Sequence, residues 1–252
     1  MFERLSFKTP CRLVSGLGAL AVAASLAFAM TPLFSSAAVA EEIQSSIARG
    51  GLLYDKWYKV IGVEKPTETH PAWPASNTKK SGAATQRCKA CHGWDLRGAD
   101  GAYATGSYKT GIKGLQHLAG ADNATVIAAI KDDLHGFGDV MSEKDYTDLA
   151  NFITKGQFDV TAYIDDATKA AKGDVARGEE IYNTACATCH GFDGKLPKDL
   201  EEPLGALSSD NPWEIIQKIL NGQPGEKMPA MRAFGVQTAA DILAYMQTLP
   251  KE

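Results

Sequence analysis

Apolar residues recur along the chain at helical spacing in two sets, and a glycine follows each. Val126, Ile127, Ile130 and Leu134 share one helical face, with Asn123 placed as N-cap and Gly136 as the stop. Ile215, Ile216, Ile219 and Leu220 form the matching face, opened by Asn211, Pro212 and Glu214 and closed by Gly222. Each set ends in a further amphipathic helix. The first, Glu143–Thr154, turns Leu149, Phe152 and Ile153 inward; the second, Thr238–Thr248, turns Ile242, Leu243, Tyr245 and Met246 inward. Alternation of period two never persists long enough to mark a strand. The pattern predicts an all-α fold.

The two sets belong to a duplicated unit. Arg49-Gly50-Gly51-Leu52-Leu53-Tyr54 and Arg177-Gly178-Glu179-Glu180-Ile181-Tyr182 share the pattern R-G-x-x-[LI]-Y, and each opens a helix-like segment. The first copy carries about thirty extra residues, rich in proline, with Trp57, Trp73 and His70, which reads as a loop with large apolar anchors. The organisation expected is an N-terminal domain over 41–156 with an insert at 55–87, a linker at 157–172, and a C-terminal domain over 173–252.

Residues 1–40 stand apart. Arg4, Lys8 and Arg12 precede an apolar stretch from Leu13 to Met30, and Ala38-Val39-Ala40 supplies small residues for cleavage before Glu41. This is the pattern of an exported, periplasmic protein with a cleaved N-terminal signal; an uncleaved membrane anchor is the alternative, since the apolar stretch is near the lower length limit for a span. Setting aside the three basic and one acidic side chains of this segment takes the formal charge from −4 to −6. A mildly acidic chain offers no basic field for nucleic acid.

Cysteine usage changes the picture most. Apart from Cys11, which lies before the apolar stretch, the cysteines fall in two pentapeptides, Cys88-Lys89-Ala90-Cys91-His92 and Cys186-Ala187-Thr188-Cys189-His190. Cys-x-x-Cys-His is the spacing of covalent haem attachment, two thiols for the vinyl groups of one porphyrin and an imidazole for its iron. Disulfides, the ordinary use of cysteine in an exported chain, leave the paired histidines unexplained. A redox dithiol lacks its strand–helix context, and zinc shared between the pairs is the remaining alternative. Two covalently bound haem c groups are expected, on Cys88 and Cys91 with His92, and on Cys186 and Cys189 with His190.

The second half, with R-G-E-E-I-Y-N-T-A-C-A-T-C-H-G, then I-L-N-G-Q-P-G-E-K-M-P-A-M and I-L-A-Y-M, resembles a class I, mitochondrial-type cytochrome c domain. The first half resembles a divergent relative, and the whole resembles dihaem periplasmic cytochromes c. The resemblance implies two domains, each a few helices around its haem, with the first and last helices crossing at a glycine–aromatic contact. Gly178 with Tyr245 and Gly50 with Phe152 would fill those places.

Each iron needs a ligand opposite its motif histidine. In the second half Met228, followed by Pro229, matches the family pattern, with Met231 as the competitor. In the first half His135 and Met141 compete. Met141 lies five residues after Gly136, against six from Gly222 to Met228, whereas alignment on the closing helix sets His135 opposite Met228. Ser142 and Asp145 look like a capping pair, which gives Met141 other work, stapling onto Tyr146. His135 is therefore favoured, with His70 and His117 as outsiders. The glycine-rich stretch Gly93–Gly114 is either a cofactor-packing or a flexible segment. Lys195-Leu196-Pro197 is placed to offer His190 a carbonyl.

Six-coordinate haems pass electrons, so the expected function is electron transfer in a periplasmic respiratory or oxidative chain, between a redox-protein donor and acceptor, with a membrane-bound oxidase or reductase as one partner. The alternatives are a haem oxidoreductase acting on a small inorganic anion, and the cytochrome subunit of a periplasmic dehydrogenase docked on the aromatic insert Trp57–Trp73. The former would resemble dihaem thiosulfate-oxidising enzymes, which need a distal cysteine that this chain does not have to spare.

Overall fold

The computed structural model describes the backbone from residue 33 and side chains from residue 41, apart from 197–199 and 201. The signal read in residues 1–40, with Cys11, lies outside the described side chains. Among the described residues regular structure is helical, with two isolated β-bridges, Gly98 to Lys113 and Ile164 to Ala171. The helices are α1 (Leu33–Ile61), α2 (Cys88–His92), α3 (Asn123–Ile130), α4 (Glu143–Lys155), α5 (Val175–Ile181), α6 (Ala187–His190), α7 (Leu204–Asp210), α8 (Pro212–Asn221) and α9 (Val236–Met246). None of the described helices is long and apolar enough to cross a membrane.

Local chemistry sets several helix ends. Ser142 and Asp145 form a reciprocal capping box on α4, and the Asn211 side chain accepts from the Glu214 amide at the start of α8, with Pro212 in its first turn. Two expectations need correction. The cap of α3 is Asp122, which accepts from the Ala124 amide, while Asn123 instead bonds Asn151 at 2.8 Å and ties α3 to α4. And α3 stops at Ile130 rather than near Gly136, leaving Leu134 63% exposed, because the Asp132 carboxylate takes the His135 amide at 2.8 Å and turns the chain away. α7 was not expected from the sequence. α1 is broken at Lys56 (φ −154°, ψ 68°), where Arg87 donates to the Asp55 carbonyl at 2.7 Å and competes with the helical bond.

The opening and closing helices cross identically in both halves. At Gly50 an added β-carbon would lie 2.0 Å from the Asp148 carbonyl oxygen, and at Gly178 it would lie 1.9 Å from that of Asp241. Only glycine permits such an approach. One turn further on, Tyr54 packs on Phe152 with ring centroids 5.2 Å apart, and Tyr182 on Tyr245 at 5.3 Å. Both glycines thus meet backbone, and Gly50 also meets Phe152 as expected, whose β-carbon would lie 2.6 Å from an added one; Phe152 and Tyr245 pair in addition with the tyrosine of the opening helix.

Residues 39–252 form one compact unit. Two apolar clusters fill it: one around Leu53, Tyr54, Leu149 and Phe152, the other around Tyr182, Ile216, Leu220 and Ile242. Trp94 and Tyr103, from the first half, are buried in the second cluster, and so are Val160 and Ile164 of the segment read as a linker. Asp55 on α1, buried, pairs with Arg87 and with Lys218 of α8 at 2.5 Å. Gly51 faces the Asn221 side chain, which would lie 2.4 Å from an added β-carbon.

Candidate haem sites

Each motif is a short helix end. α2 and α6 finish on His92 and His190, and the next residues, Gly93 (φ 82°) and Gly191 (φ 76°), turn the chain in a conformation that favours glycine. Tyr54 and Tyr182 donate to the carbonyls of those two glycines, at 2.6 and 2.8 Å. The tyrosine of R-G-x-x-[LI]-Y therefore anchors its own haem motif in both halves, a role that sequence reading passes over although the repeat itself signals it.

The imidazoles are oriented by backbone carbonyls. His92 Nδ1 faces the Lys113 carbonyl at 2.9 Å, and His190 Nδ1 faces that of Leu196 at 3.3 Å, as the position of Lys195-Leu196-Pro197 suggests. With Nδ1 engaged, Nε2 is the nitrogen free for a metal on each ring. Burial lowers both histidine pKa values, against the raising effect of those carbonyls, and keeps the rings neutral as metal ligands must be. The glycine-rich stretch 93–114 is what delivers the Lys113 carbonyl. Buried Asp95 gathers the Arg97 and Ala102 amides, and Gly98 bridges back to Lys113, where a β-carbon would lie 2.4 Å from the Ile112 carbonyl.

The thiols are unpaired, and Cys88 and Cys186 pack against the two apolar clusters. Burial pushes Cys88 up to about 12 and Cys91 and Cys186 up to about 11. Such thiols hold little thiolate at neutral pH, the reverse of a redox dithiol. Among the described residues no three His, Cys, Asp or Glu side chains converge as a metal-ion ligand set.

Beside His92 lies His135. The two ring centroids are 6.4 Å apart with planes inclined by 24°. Two metal–imidazole bonds of about 2 Å each, plus the half-widths of the two rings, span a little over 6 Å. His135 Nδ1 is taken by Asp132 Oδ1 at 3.0 Å, so here too Nε2 is the free nitrogen. Met141 is in the first apolar cluster with Tyr146, whose hydroxyl its amide meets at 3.3 Å. In the second half Met231 packs against the apolar cluster, while Met228 is half-buried outside it, its carbonyl 2.6 Å from a β-carbon built on Gly222. His117 lies in a short turn at Gln116–Leu118, and His70 contacts the His135 backbone. The insert is not an exposed aromatic face: Trp57 and Trp73 are 6% and 7% exposed, and their indoles donate inward to the Gln86 and Asn77 carbonyls.

The residues present fit a haem at each motif. Arg232 Nη2, on the segment that carries Met228, is a buried donor without an acceptor from the chain and suits a propionate carboxylate. Arg232 is 8% exposed and desolvation pushes it down to about 10, the condition of a buried cation that an anion relieves. Phe192, Leu196 and Phe234, on the segments that carry His190 and Met228, keep exposed apolar surface that suits a porphyrin face.

Residues 173–246 match the family described as cytochrome c oxidase, cbb3-type, subunit III. A cytochrome c-553-like protein of Synechocystis sp. is 36% identical over 84 residues, 32% of this chain and 73% of that protein. The cbb3-type cytochrome c oxidase subunit FixP of Azorhizobium caulinodans is 30% identical over 122 residues, 45% of this chain and 37% of the subunit. The cytochrome bc1 complex cytochrome c subunit of Corynebacterium diphtheriae is 32% identical over 78 residues, 30% of this chain and 27% of the subunit. The chain thus spans well under half the length of the last two relatives.

Proposed function

The chain belongs to the cytochrome c family, with a cytochrome c domain at its C-terminus and at least one covalent haem, and we propose that it is a dihaem electron carrier of the periplasm. The observation that carries the second haem is the His92–His135 pair, two imidazoles 6.4 Å apart beside a Cys-x-x-Cys motif, each with Nδ1 turned to an acceptor. Haem supplies one-electron chemistry at its iron. His92 and His135 would hold the first iron and His190 and Met228 the second, a ligand set suited to electron transfer rather than to binding a substrate.

The ligands order the two sites. A thioether favours the reduced metal more than an imidazole does, so with these ligands the second site would have the higher potential and would accept electrons from the first. The relatives are named as subunits of a cbb3-type oxidase and of a bc1 complex, and a membrane-bound respiratory complex is the acceptor this reading favours. Export rests on the charged, then apolar, then Ala-x-Ala pattern of residues 1–40.

The test is haem content together with ligation in the purified holoprotein. Two haems per chain, one ferric bis-imidazole signal and one red-region sulfur-to-iron band are expected. A single haem per chain refutes the dihaem reading; two sulfur-to-iron bands refute His135 in favour of Met141.

A further inference from the structure

We propose that His70 is the positioning residue of the first haem site: it grips the peptide carbonyl of His135 and keeps that imidazole within reach of the iron. The inference rests on the reading of His135 as the sixth ligand. His70 Nε2 lies 3.1 Å from the His135 carbonyl oxygen. The Ala72 amide donates to His70 Nδ1 at 3.1 Å, which fixes the proton on Nε2 and makes that nitrogen the donor. The ring also lies against Phe137, with centroids 5.9 Å apart.

The insert is built to hold this histidine still. Its neck is stapled by three bonds: the His70 amide to Thr85 Oγ1 at 2.9 Å, the Gly82 amide to Thr69 Oγ1 at 2.9 Å, and Gln86 Nε2 to the Glu68 carbonyl at 2.9 Å. Trp57 on α1 bonds the Gln86 carbonyl at 2.8 Å, two residues before Cys88. His70 is thereby fixed to the segment that carries the first haem motif.

The His135 loop needs such a support. It lies beyond the end of α3, and Leu134 and Val140 are 63% and 39% exposed. Its own tether, Asp132, is an exposed carboxylate. A cavity of about 220 Å³, lined in part by Trp57, Pro66, His70, His135, Phe137 and Val140, lies where loop and insert meet, so the loop is not packed solidly there and the His70 bond carries more of its support. The shorter second half has no counterpart of the insert. The extra residues of the first half therefore work as a clamp on a metal ligand.

The experiment compares His70→Leu, His70→Gln and His135→Ala in the full-length holoprotein, by low-temperature EPR of the ferric form and by CO binding to the ferrous form. Glutamine places an amide nitrogen about where Nε2 stands and keeps the donor. Expected are wild-type behaviour for His70→Gln, and for His70→Leu a high-spin ferric signal with CO binding about five- to tenfold faster, the factor carried by one lost hydrogen bond. Where the leucine variant fails to take up haem, His70→Asn, whose amide falls short of the carbonyl, serves in its place. Wild-type spectra and CO rates in His70→Leu, with His135→Ala high-spin, overturn the positioning role and leave the ligand reading standing. Equal loss in the leucine and glutamine variants overturns the hydrogen bond as cause. Unchanged low-spin spectra in His135→Ala overturn the ligand reading and the inference with it.

Discussion

Arg49 donates to the Asp148 carboxylate at 2.7 Å, and Arg177 is paired with Asp241 at the corresponding place in the second half. Each arginine precedes the glycine of its helix crossing. Each aspartate supplies the carbonyl that the glycine meets and precedes by four residues the aromatic that packs on the tyrosine. The crossing is thus specified twice by the same five residue positions, with Phe152 standing where Tyr245 stands.

Gly50→Ala and Gly178→Ala are each expected to destabilise the protein by about 3 kcal/mol, measured by denaturant unfolding of the holoprotein. The added methyl meets carbonyl oxygens at 2.0 and 1.9 Å, and no side-chain rotation relieves a clash with backbone. Wild-type stability in either variant would show that the helices cross further apart than described.

Asp55 ties stability to acid. Burial works to raise its carboxyl, but Lys218 and Arg87 outweigh that and hold it below the ordinary 3.8. Its contribution is complete above 3.8 and is lost as the pH falls through the lower folded-state value. Asp55→Ala takes the shared carboxylate from half-buried Arg87 and Lys218 and is expected to cost about 3 kcal/mol at neutral pH. It should also flatten the loss of stability on acidification below about pH 4, followed by thermal unfolding across that range.

Trp94 tests whether the halves fold together. It comes two residues after the first motif, yet it is 2% exposed within the second apolar cluster. Trp94→Ala is expected to cost about 3–5 kcal/mol and to shift a single unfolding transition seen at both haem bands. Two separated transitions in the wild type would refute a shared core.

Met228→His replaces a thioether by an imidazole. The midpoint potential of the second site should fall by on the order of 0.1 V, a fraction of the roughly 0.8 V that axial ligation commands, with the first site unchanged in a spectroelectrochemical titration. A fall at neither site would point to Met231.

Much of this architecture is legible in the sequence because its signals are local. Capping by Ser142 with Asp145 and by Asn211 with Glu214 needs only neighbours along the chain. The end of α3 is misjudged because Leu134 and Gly136 continue the helical pattern, while Asp132, one polar residue, breaks it by taking the His135 amide. Asp148 and Asp241 pass for solvent-facing residues of amphipathic helices, since the arginines that allow their burial lie far away in the chain. The repeat D-x-x-x-[FY], four residues before each closing aromatic, was the available signal. The role of Trp94 has none, because an aromatic after a haem motif says nothing about which core receives it.

The sharing of Trp94 and the pairing of Lys218 with Asp55 also bear on kinetics. Carriers with tethered domains wait for a diffusive encounter before charge crosses between them, and solvent viscosity slows that wait. Here both motifs sit in one body, so with a haem on each the gap between them would be fixed when the chain folds. On the proposed dihaem reading, passage from the first iron to the second is then expected to follow a single exponential, indifferent to added glycerol or sucrose.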